Sequence, residues 1–164
     1  MPKVLLALLR LSASVGALSL VAIGLIVTAD VLIRWTTGKP VSGVFEVASL
    51  MLVVAIFLPL GFMQHEKLHI RVDIFSSRAR GRWAAALDVL DAVAGILVFG
   101  LLLWAAASEF LTAYRGGFRL RGIIEIPTAL QIGFIVFGSA LILVALGYLL
   151  VKSLRALRRP GTPP

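Results

Sequence analysis

Four stretches of this chain, 11–29, 47–64, 92–108 and 126–151, contain no Asp, Glu, Lys, Arg or His. Each is close to the ~17–25 apolar residues needed to cross a hydrocarbon core of ~30 Å. In lipid, backbone N–H and C=O groups must be satisfied within their own element, so runs of this length fold as helices. The pattern predicts an all-α integral membrane protein with four transmembrane helices, about 5–33, 44–63, 82–110 and 127–152. They form one domain over 1–164, with a basic tail at 155–164. The third run is the shortest, so its helix is expected to start earlier, near Trp83, with Asp88 and Asp91 in its first turns. With 60% hydrophobic residues, little sequence remains for a soluble domain. The first run follows Lys3 and Arg10 like a signal peptide. It exceeds the ~7–15 residues of a signal core and ends without a small-x-small cleavage site, so a retained helix is expected.

Cysteine is absent, which excludes disulfides and thiolate ligands; a metal would need His and carboxylates, and there are two His. The net charge of +8 suggests nucleic acid, but its distribution argues otherwise. Of the sixteen Lys and Arg, eleven fall in the N-terminus, the second loop and the tail, and five in the first and third loops. This is the positive-inside pattern. It predicts both termini in the cytoplasm, with the basic side chains contacting the lipid bilayer and no nucleic-acid partner.

The densest run of polar residues follows the second helix. His65-Glu66-x-x-His69 spells a zinc-peptidase signature, with two His one helical turn apart and Glu66 as general base. That reading, a small intramembrane zinc metallopeptidase, needs a third ligand. Asp73 is close in sequence, Asp88 and Asp91 are on the next helix, and Glu109 and Glu125 are on the opposite side of the membrane. The competing reading is a charged interfacial turn whose side chains reach into the headgroups. Segment 68–77 reads as a short amphipathic piece at the membrane surface, as helix or extended chain.

Elsewhere polar groups gather at the helix ends. Asp30 and Arg34 are four apart and share a helix face. Arg34 and Glu46 end neighbouring helices and are candidates to pair across the first hairpin, either as a docking surface or as a plain interfacial ion pair. Ser42 or Gly43 is positioned to cap the second helix, and Pro59 to kink it. Asp88 and Asp91 suit a helix N-terminal dipole or a contact with Arg71, Arg78 or a partner. Pro127 suits the first turn of the fourth helix. The central third of every helix lacks an ionisable group, and transport sites lie near the midplane. Asp30 is too near the outer edge to serve a self-contained exporter of the small multidrug type. No broken helix with a Gly-rich midpoint is expected. Gly95 and Gly100, or Gly133 and Gly138, lack the small-xxx-small spacing. A helical scaffold is expected, not a substrate pathway.

The order Arg34, Glu46 opening the second helix, Gly61, then His69-Ile70-Arg71-Val72-Asp73, resembles the DctQ-like small membrane subunit of tripartite ATP-independent periplasmic (TRAP) transporters. Ile126-Pro127 and Gly138 in the fourth helix extend the resemblance to nearly the whole chain. Thr128 stands where that family often has Trp, and Ile135-Val136 lacks a proline often seen there. The resemblance implies a non-catalytic subunit that braces a large multi-helix permease subunit in the inner membrane. It also implies help in forming the docking surface for a periplasmic substrate-binding protein. Sodium and the organic acid would bind in the large subunit, leaving this chain without a cofactor. Arg34, Glu46, Gly61, His69, Asp73, Asp88, Asp91 and Pro127 become structural or interface positions. The chain has no GxxxxGK[ST] loop, so an ion gradient or another chain must supply the energy.

Overall fold

A computed structural model describes residues 3–65, 82–120 and 122–158; the side chains of His65, 82–88 and 156–158 are also outside the description. Among the described residues, five helices make four membrane-length spans: α1 Lys3–Thr37, α2 Val44–Phe57 with α3 Leu60–His65, α4 Arg82–Gly116 and α5 Thr128–Arg158. The helices extend past the hydrocarbon core. Polar residues mark where each enters and leaves it: Arg10 and Asp30 on α1, Glu46 and Gln64 on α2–α3, Asp91 and Glu109 on α4, Gln131 and Lys152 on α5. The members of each pair are 18–21 positions apart. At ~1.5 Å of rise per residue this is about 27–32 Å, one hydrocarbon thickness. Between these pairs there is no Asp, Glu, Lys, Arg or His.

The spans form a row rather than a closed bundle. α1 packs on α2 and α3, these pack on α5, and α5 packs most extensively on α4. α1 and α4 are therefore the two edges. Only 6% of the apolar window of α4 is buried within the chain, against 28% for α5. Most of the apolar surface faces outward, as expected where lipid tails, not water, surround the helices.

The row is held by close backbone approach at the break between α2 and α3. Pro59 has no amide, so the Ala55 carbonyl loses its helical donor and α2 stops at Phe57, with α3 restarting at Leu60. Three glycines close on this break. Gly16 of α1 lies against the Pro59 ring and the Ala55 carbonyl. Gly138 of α5 lies against the Phe57 carbonyl, where a Cβ would come within 2.7 Å of the carbonyl carbon. A Cβ on Gly61 would approach the Leu141 backbone to 3.2 Å and a Leu9 methyl to 2.8 Å.

The second span is interrupted at Pro59, where the sequence predicts a kink, and not at a Gly-rich midpoint. Small-residue packing does exist, on α1, where Ser12, Gly16 and Ser19 are all buried. Two of its members are serines, which turn their hydroxyls back to Leu9 and Val15 carbonyls at 2.9 Å. A search confined to glycine pairs passes over such a stripe.

Gly138→Ala is expected to lower the thermal midpoint in mild detergent. Gly100→Ala, whose Cβ meets nothing within 4 Å, should leave it unchanged or raise it. Equal midpoints for the two variants in a melting series would refute the glycine grip.

Candidate interaction surface

The polar chemistry divides between two rims. One rim carries the α1–α2 and α4–α5 loops. Asp30, 7% exposed, is its first anchor. Its Oδ2 accepts from Arg34 Nη2 at 2.8 Å, and its Oδ1 accepts from the Val41 amide at 2.6 Å. One carboxylate thus closes the loop between α1 and α2 onto the end of α1. The Asp30–Arg34 pair follows from their spacing. The Val41 bond has no such signal, because the loop's path sets it.

Glu46 is the second anchor. Its Oε1 accepts from the Ile123 amide at 2.7 Å, across 77 residues of sequence. This corrects the expected Arg34–Glu46 pairing: Arg34 is engaged by Asp30 on its own helix, and Glu46 turns to the α4–α5 loop. Gly122 makes the approach possible, because a Cβ there would overlap the Glu46 carboxylate. Beside it, Gly43 caps α2 at φ 87° with no side-chain cap hydrogen bond. A Cβ on Gly43 would run into Ile124, so this position needs glycine both for its left-handed backbone and for its lack of bulk. Gly43 and Glu46 on one hairpin and Gly122, Ile123 and Ile124 on the other make a latch between the two halves of the chain.

The α4–α5 loop presents a shaped edge to the latch. α4 ends with Gly117 at φ 61°, and the Phe118 amide donates to the Ala113 carbonyl at 3.2 Å, closing the last turn. Leu120 N–H donates to Ile126 O at 2.9 Å and Thr128 N–H to Phe118 O at 3.0 Å, a short antiparallel clasp. Pro127 lies in this clasp, immediately before α5 and not within its first turn. Arg119 Nη1 and Glu125 Oε2 pair at 3.0 Å, with both side chains well exposed. Such a pair adds about 0–1 kcal/mol, so backbone bonds carry this loop.

The other rim carries the chain termini. There Gln64, 8% exposed, donates from Nε2 to Asp91 Oδ2 at 3.4 Å, a long bond joining α3 to α4. In the sequence Gln64 is simply the last residue of an apolar run, and an amide closing such a run is the signal for this contact. Among the described residues no group of three His, Cys, Asp or Glu is placed to hold a metal. Glu66, His69, Asp73 and segment 68–77 lie outside the described residues, as does the side chain of Asp88. Neither reading of the His65-to-Asp73 stretch is therefore tested by this geometry.

Spans of one hydrocarbon thickness, joined in a row and with no Asp, Glu, Lys, Arg or His between their rims, define a multi-pass membrane protein. The family model described as tripartite ATP-independent periplasmic transporters, DctQ component, matches residues 23–157. The chain belongs to that family, as the small permease subunit of a TRAP transporter in the inner membrane. Membership implies association with the large TRAP permease and a substrate-binding protein. No curated protein matches the chain.

Glu46→Ala strips the exposed Ile123 amide of its acceptor, a loss of about 0.5–1.5 kcal/mol because water can take the vacated place. Glu46→Gln keeps an oxygen in place. Amide exchange at Ile123 in detergent should be fast in the Ala variant and protected in the Gln variant; fast exchange already in the unsubstituted chain would dissolve the latch.

Proposed function

We propose that this chain is the non-catalytic brace of its transporter, holding the large permease subunit in the bilayer while substrate and coupling ion bind in that larger chain. The observation that carries this reading is the open row of helices. A row that does not close into a bundle, with no Asp, Glu, Lys, Arg or His between its rims to bind a charged substrate or ion, suits a wall against which a larger chain packs. The coupling ion is sodium, the substrate is an organic acid, and the chain holds no cofactor itself. Both termini face the cytoplasm, supported by the concentration of eleven of sixteen basic residues on the terminal side. The latch rim then faces the periplasm, where it forms part of the docking surface for the substrate-binding protein. Arg34, Glu46 and Pro127 shape that rim. Gly61 serves the central packing, and His69, Asp73, Asp88 and Asp91 serve the cytoplasmic side.

Affinity-tagged chain co-expressed with its neighbouring permease and extracted in mild detergent should retain a much larger membrane protein. A monodisperse solo species under conditions that preserve the fold would defeat the brace reading. His65→Gln should leave uptake by the assembled transporter near the unsubstituted level. Stoichiometric zinc in the purified complex, lost together with uptake in that variant, would instead restore the metallopeptidase reading.

A further inference from the structure

An apolar groove of about 600 Å³ lies over the free face of α5 toward the latch rim. Gly133, Phe134 and Phe137 line it from α5, Phe110 and Tyr114 from α4, and Leu58 from the break between α2 and α3. Below the groove the same face continues to the terminal rim through Val144 and Val151, both about half exposed. The positions 130, 137, 144 and 151 recur every seven residues, which keeps them in one line along a slightly supercoiled helix. The line crosses the full hydrocarbon thickness. It ends at Arg155, also exposed and on the same face, with Lys152 beside it.

Two glycines on this side of α5 are not required by the chain itself. A Cβ on Gly133 would meet only the Phe110 ring, at 3.4 Å, and one on Gly147 would meet nothing within 4 Å. Gly16, Gly61 and Gly138, by contrast, are each pressed by a neighbouring element of the same chain. Small residues in membrane helices let another backbone come close. Here the helix that would come close is not among those of this chain.

Charge selects the occupant. A second copy in the same membrane faces the same way, and a two-fold axis along the membrane normal would lay α5 parallel to itself. Arg155 would then meet Arg155 and Lys152 would meet Lys152. A partner helix with a carboxylate at the terminal rim meets complementary charge instead.

We infer that the α5 groove and the stripe below it are the seat of one membrane helix from the large permease subunit. That helix is apolar over its span, crosses close to Gly133 and bears an Asp or Glu at the level of Arg155. The inference rests on the brace reading above and adds which face is used.

The chain has no cysteine, so single-cysteine variants report one position each. In the co-expressed complex, Phe137→Cys and Val144→Cys carrying a short photo-crosslinker are compared with Leu18→Cys on α1 and Leu97→Cys on α4. The expected result is adducts to the large chain at 137 and 144, with 18 and 97 labelling lipid. Adducts to the large chain at 18 or 97 alone, to a second copy of this chain, or only to lipid at 137 and 144 would each overturn the inference. In parallel, Gly133→Leu should reduce the co-purified large chain about tenfold or more, while Leu97→Ala leaves it unchanged. Undiminished recovery with Gly133→Leu would also overturn the proposed seat. Retention of the large chain with adducts on another face would leave the brace reading intact and remove only the seat on α5.

Discussion

The placement of three of the four spans depends on how closely backbones approach at Pro59. Helices in lipid gain no hydrophobic energy from touching each other, so contact has to come from packing and from polar bonds. A missing amide at Pro59 ends α2, and the glycines at 16, 61 and 138 let α1, α3 and α5 close on the interruption. The proline interruption, costly in a helix standing alone, becomes the place where three spans meet. The rows of helices on either side take their positions from it.

The latch does a different job. Packing at Pro59 sets the distance between spans, but small residues tolerate some sliding. Glu46 on the Ile123 amide and Asp30 on the Val41 amide are directional, and each uses a carboxylate against a backbone donor. Bonds of this kind fix the register between the two hairpins. At the terminal rim the Gln64–Asp91 contact, at 3.4 Å, is a longer bond between two side chains.

The spans were legible in the sequence because hydrocarbon thickness fixes their length, and uncharged runs of that length have few other uses. Asp30 with Arg34 was legible because helical periodicity sets their spacing. Glu46 with Ile123 was not, since no local rule links residues 77 apart, and the nearer Arg34 was the natural partner to propose. The Ser12–Gly16–Ser19 stripe was overlooked because serine counts as polar until its hydroxyl is turned onto its own helix. Gln64 was overlooked because a single amide at the end of an apolar run looks like a boundary. Pro59 was expected to kink the helix, but its role as a meeting point depends on glycines in two other helices. Family membership came from the order of loosely specified residues along the chain, to which these packing details contribute nothing.

The two anchors of the latch rim also differ in when they can form. Asp30 and Val41 are eleven residues apart, so that bond needs only the first hairpin and is available as soon as that hairpin has left the ribosome and entered the bilayer. The acceptor on Glu46 then has to wait for Ile123, which is synthesised after α4. The first two spans can thus close as a unit with the Glu46 carboxylate uncommitted at the rim, and the second hairpin supplies its donor. The order of translation is written into the rim as a local bond first and a long-range bond last.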